Sequence, residues 1–108
     1  MNPQTRIAAL AAAAPDREPG ARRLVRICNQ KGLHARAAAR FVKTAAQFAA
    51  EVTVRKNGTT VSGRSIMGLM MLAAASGTVI EIAATGPDAA AAVEALARLI
   101  EAKFDEQD

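Results

Sequence analysis

The sequence predicts an α+β two-layer sandwich, one sheet of four strands with three helices on one face. Short runs of alternating apolar residues occur at Leu24–Cys28, Glu51–Arg55 and Thr78–Thr85. Apolar residues at helical spacing fill the stretches between and after them. Asn57-Gly58 sits between two strand-like runs, the strongest short hairpin signal. The order that results is strand, helix, strand, strand, helix, strand, helix.

The first strand covers Leu24 to Cys28, with Val25 and Ile27 on one side and Arg26 on the other. Gly32 permits a sharp turn before a helix predicted from about Ala35 to Phe48. On that helix Ala38, Phe41, Val42, Ala45 and Phe48 share the core face. Thr59–Ser62 returns from the hairpin, and Ser65 is a good N-cap for a helix over Ile66 to Ala75. Gly77 stands where a left-handed cap would end it. Ile80, Ile82 and Ala84 face inward from the fourth strand. Gly86-Pro87-Asp88 opens the last helix, whose core stripe is Ala89, Val93, Leu96, Ala97 and Ile100. Glu94 and Arg98 make an exposed supporting pair, and Asp105 to Asp108 are expected to fray.

With 108 residues, the chain is expected to hold one domain. Residues 1–21 read as an extension and linker, loosely helical and then Pro- and Gly-rich, and 22–108 as the domain. Aromatics are only 3%, so Ala, Val, Ile, Leu and Met must fill the core. One cysteine excludes an internal disulfide and fits a reducing cytosol. No apolar run approaches membrane-spanning length. Cys28 and His34 alone cannot make a zinc site, so neither metal nor cofactor is expected.

His34 is the only histidine, and it falls where the first helix begins. Unpaired backbone N–H groups at that end favour negative charge. An imidazole there can accept a phosphoryl group whose oxygens are held by the amides of Ala35, Arg36 and Ala37 and by the Arg36 guanidinium. The helix end also favours the neutral, nucleophilic ring. Without these features, a surface histidine capping a helix would be the ordinary reading. Arg36, Arg40 and Lys43, continued by the polar Gln47, form a basic stripe that starts beside it.

The segment from Ile66 to Leu72 carries no charge. Leu69 and Leu72 are expected in the core, and Met67 and Met70 on a docking patch suited to several partners. A phosphate on Ser65 would meet a favourable helix end and repel an acidic partner drawn to Arg36, Arg40 and Lys43. Cys28 reads as a buried, inert strand-end thiol.

Gly32-Leu33-His34-Ala35-Arg36 and Gly63-Arg64-Ser65-Ile66-Met67-Gly68-Leu69-Met70 resemble the two signature segments of HPr, the histidine phosphocarrier family of the bacterial phosphoenolpyruvate-dependent phosphotransferase system. Their spacing, the hairpin and the last helix match as well, from about Arg22 to the C-terminus. The resemblance implies an open-faced antiparallel sandwich with strand order one, four, two, three. It implies a carrier rather than an enzyme, a cytoplasmic monomer. His34 would take phosphate on Nδ1 from Enzyme I and pass it to IIA-type proteins, with Arg36 assisting. Ser65 matches the serine modified by HPr kinase/phosphorylase in bacteria that have that enzyme. Ile66, Met67 and Met70 match the family's docking patch. One departure is Ala37, where the family usually has proline; transfer is expected to survive it. Ala37 and the Met67–Leu72 segment are similar to carriers of alphaproteobacteria, where the system often regulates.

The competing class is a small basic nucleic-acid-binding module, supported by a formal net charge of +4 and the basic stripe. The chain has no Trp or Tyr to stack on bases, and its three Phe are expected in packing.

Overall fold

A computed structural model describes residues 20–106. The expected extension therefore lies outside the described residues, apart from Gly20 and Ala21. These two open strand β1 (Gly20–Arg26), which starts four residues before the expected Leu24. It starts early because β4 (Val79–Thr85) offers it a partner along its whole length, from Gly20 opposite Thr85 to Arg26 opposite Val79.

The other elements are α1 (Ala35–Ala45), β2 (Glu51–Lys56), β3 (Thr59–Ser62), α2 (Ile66–Met71) and α3 (Ala89–Glu101), then a short turn at Lys103–Asp105. The strands pair antiparallel in the order β1-β4-β2-β3. Lys56 pairs with Thr59, so the hairpin loop is Asn57 and Gly58 alone. Both have positive φ, 49° and 84°, as the two-residue turn that matches strand twist requires.

The helices cover one face, and a mainly aliphatic core lies between them and the sheet. Val25, Val52, Val54, Ile80, Ile82 and Ala84 enter it from the strands. Phe41 and Ala38 from α1, Leu69 from α2, and Val93, Leu96 and Ile100 from α3 close it. All five residues of the expected α3 stripe are buried, and Ala92 joins them. The Glu94–Arg98 pair forms at 3.0 Å.

Three expectations about element ends are corrected. Helix α1 stops at Ala45 rather than Phe48, because the next amides tighten, Gln47 N donating to Thr44 O and Phe48 N to Ala45 O. Val42, within the helix, and Phe48, beyond it, only half-bury against the core.

Helix α2 stops at Met71 rather than Ala75. The left-handed residue that follows it directly is Ala73, at φ 52°; Gly77 also has positive φ, 92°, but lies beyond the helix end. The cause is tertiary. Lys56 Nζ donates to the carbonyls of Leu72 and Ala73, at 2.9 and 3.1 Å, and Leu33 N donates to Ala74 O at 2.9 Å. These bonds hold the chain after Met71 on a path that leaves the helix.

The third correction is at the C-terminus, where Asp105 and Glu106 do not fray. Lys103, Phe104 and Asp105 form a left-handed turn, with φ of 59°, 55° and 62°. Each such residue costs about 1–2 kcal/mol in isolation. Phe104 anchors the turn by its complete burial, and its carbonyl accepts from Arg40 Nη1. Gln107 and Asp108 lie outside the described residues.

Candidate functional site

His34 is the N-cap of α1. Its backbone is extended, at φ −81° and ψ −177°, and its carbonyl takes the first intrahelical bond, from Ala38 N at 2.8 Å. The amides of Ala35, Arg36 and Ala37 precede that bond and have no intrahelical acceptor of the usual kind. Gly32 sets the approach. Its φ is 69°, and a Cβ there would lie 2.6 Å from Ala74 O and 2.9 Å from Ala75 Cα. Only glycine meets both demands.

The two ring nitrogens have different surroundings. Nδ1 accepts from the Arg36 amide at 3.3 Å, within the electropositive first turn. Nε2 lies 2.5 Å from Glu106 Oε2. The side chain of His34 is 27% exposed, so the ring is reachable but held. The helix end was the only influence on the ring that the sequence revealed, and it opposes positive charge. The carboxylate on the other side favours it.

Glu106 is held in turn by Asn29. Asn29 is fully buried, and its Nδ2 donates to Gly32 O at 2.8 Å and to Glu106 Oε1 at 3.0 Å. Burial pushes the Glu106 carboxyl up. The hydrogen bonds from Asn29 and His34, with the charges of His34 and Lys31, outweigh burial and leave it below its ordinary value of 4.5. Sequence reasoning missed both residues. Asn29 looked like one more loop residue, and Glu106 like one of several terminal acids; neither carries a local signal of a partner more than seventy residues away in the chain.

Arg36 is exposed beside the ring. Lys43 is exposed as well, but Arg40 is half-buried and turned to the Phe104 carbonyl. The expected basic stripe is thus interrupted at Arg40, whose guanidinium is engaged within the fold. The side chain of Ala37 is fully buried, so only its backbone is available to an anion. Ser65 caps α2, its Oγ accepting from Gly68 N at 2.9 Å. Leu69 and Leu72 are buried. Ile66, Met67 and Met70 are exposed, as is Met71, which the sequence did not single out. Cys28 donates its thiol to Ile100 O at 3.2 Å and makes no contact with the ring.

The helix-capping histidine and the short Met-rich helix both lie within the stretch that a family model matches. The family model described as "PTS HPr component phosphorylation site" matches residues 21–102. The chain belongs to the HPr family. The HPr of Neisseria meningitidis serogroup A is 56% identical over 82 residues, which is 76% of this chain and 92% of that protein. The phosphocarrier protein NPr of Shewanella violacea is 44% identical over 84 residues, 78% of this chain and 92% of that one. Among solved structures, an HPr from Thermoanaerobacter tengcongensis superposes with a TM-score of 0.78 at 42% identity, covering 82% of this chain and 99% of that one. An HPr dimer from the same organism gives 0.65 at 45% identity, covering 76% and 94%.

HPr proteins are the phosphocarriers of the phosphotransferase system, and this chain is one of them. The open-faced antiparallel sandwich and its strand order, expected from the resemblance, are those observed. Nothing in the site or among the relatives favours the nucleic-acid reading. No described helix is long and apolar enough to cross a membrane.

Proposed function

We propose that His34 accepts a phosphoryl group on Nδ1 from phosphorylated Enzyme I and passes it to IIA-type proteins. The observation that carries this is the placing of Nδ1 at the amino end of α1, facing the Arg36 amide at 3.3 Å on a ring that remains accessible. A phosphoryl group on that nitrogen would exchange the ring's weak hydrogen bond for charge-assisted bonds to the first-turn amides. Arg36 is near enough in sequence and exposed enough to add its guanidinium.

Ile66, Met67 and Met70 supply the docking surface for both partners in this reading, with Lys43 at its basic margin. Phosphorylation of Ser65 by an HPr kinase/phosphorylase would place charge beside that surface and weaken docking. The chain acts as a cytoplasmic monomer that needs no metal or cofactor.

Incubation with phosphoenolpyruvate and Enzyme I tests the proposal. An acid-labile, base-stable phosphate mapped to His34 by mass spectrometry is the expected result, and His34→Ala should abolish it. Incorporation that survives His34→Ala would refute the assignment.

A further inference from the structure

We infer that Glu106 is a positioning residue for phosphoryl transfer, its carboxylate keeping the proton on Nε2 and the lone pair on Nδ1. This rests on His34 being the acceptor. The evidence is geometric. Glu106 Oε2 lies 2.5 Å from Nε2, while Oε1 accepts from Asn29 at 3.0 Å. Both oxygens are engaged, so the carboxylate cannot turn away without losing a bond.

Asn29 is fixed too. Reversing its amide would point Oδ1 at the Gly32 carbonyl and the Glu106 carboxylate, two acceptors. Its buried Oδ1 makes no hydrogen bond in the arrangement observed, so its contribution lies in the two bonds from Nδ2. The side chain of Glu106 is only 13% exposed, which keeps solvent from substituting for it.

Only a carboxylate fits this place. Two donors meet it, Asn29 Nδ2 on one oxygen and Nε2–H on the other. A glutamine amide has one acceptor and would present NH2 to one of them. Turned toward the ring, that NH2 would need a lone pair on Nε2 and would shift the proton to Nδ1, the nitrogen that has to attack.

In the transfer step the Nδ1 lone pair forms a bond to phosphorus. The donor's bond to phosphorus breaks, and its electron pair leaves with the donor. The ring gains one positive charge, shared with Nε2–H, and the Glu106 carboxylate beside it stabilises that charge. The proton stays on Nε2. When the phosphoryl group moves on, Nδ1 recovers its pair and the ring returns as the same neutral tautomer. Partners of this kind, one step removed from the reacting atom, commonly matter by about 10–100-fold at metal-bound histidines, and a loss of at least about tenfold is expected here.

The test uses the full chain with 15N-labelled histidine, in wild type, Glu106→Gln and Glu106→Ala. Ring nitrogen shifts are read at alkaline pH, and single-turnover transfer from phosphorylated Enzyme I is timed. The wild type should show Nε2–H alone. Glu106→Gln should show protonated Nδ1 and transfer at least about tenfold more slowly. Glu106→Ala should transfer as slowly, with the amide spectrum of the sheet unchanged. Wild-type ring shifts together with transfer within about twofold of wild type in both variants would overturn the inference. Failure of the wild type to take phosphate on His34 would instead defeat the acceptor assignment, whatever the variants do.

Discussion

Ala73 holds a backbone conformation that suits glycine. At φ 52° an L-residue bears about 1–2 kcal/mol of strain, while glycine loses about 0.5–1 kcal/mol through its greater freedom in the unfolded chain. Ala73→Gly should therefore stabilise the fold by about 0.5–1 kcal/mol, read as a raised urea midpoint with unchanged slope. At Glu106 the linkage runs with pH. Its carboxyl titrates lower in the folded chain than in the unfolded one. Its contribution is present above the ordinary carboxylate value and is lost as pH falls through the lowered folded value. The stability gap between wild type and Glu106→Gln should thus be open at neutral pH and close in the acid range below 4.5. A gap that widens with acid would contradict the sign. Ala37 is buried at the third position of α1, where its N–H lies ahead of the helix ladder. Ala37→Pro removes one first-turn donor but leaves the amides of Ala35 and Arg36 for the phosphoryl oxygens, and transfer should continue at a similar rate.

The elements next to the ring were legible in unequal measure. The β2–β3 hairpin at Asn57-Gly58 and the Ser65 cap rest on contacts within a few residues and stand where the sequence put them, while β1 begins early because β4 pairs with it. The ends of α1 and α2 also differ: α1 tightens at Gln47 and Phe48, and after α2 the carbonyls are taken by Lys56 and Leu33. The C-terminal turn is the extreme case. Three successive left-handed residues without glycine contradict local preference, and burial of Phe104 holds them there. Phe104→Ala should cost about 3–5 kcal/mol. It should also release Glu106, so that a ring-nitrogen spectrum shows loss of the Nε2 contact. Retention of that contact would show that Asn29 alone holds the carboxylate.

For the whole molecule, packing and exposure are separated along one short helix and the residue that follows it. Leu69 and Leu72 face the core, while Met67 is 69% and Met71 77% exposed. Met67→Asp should leave thermal stability nearly unchanged, yet weaken binding of Enzyme I by about tenfold or more, since a docking residue of this kind contributes over 1 kcal/mol. An unchanged Kd would remove Met67 from the docking surface.

The sequence by itself determined the element order, the place of His34 at a helix start and the exposed Met-rich helix. These depend on spacing, turn chemistry and capping, all of which act between near neighbours. Only the tertiary structure decided which carboxylate meets the ring, that Arg40 turns to the Phe104 carbonyl, and where α2 ends. Those contacts join residues 16 to 72 positions apart. A contact across such a span exists only after the core has closed, so no local pattern of residues announces it.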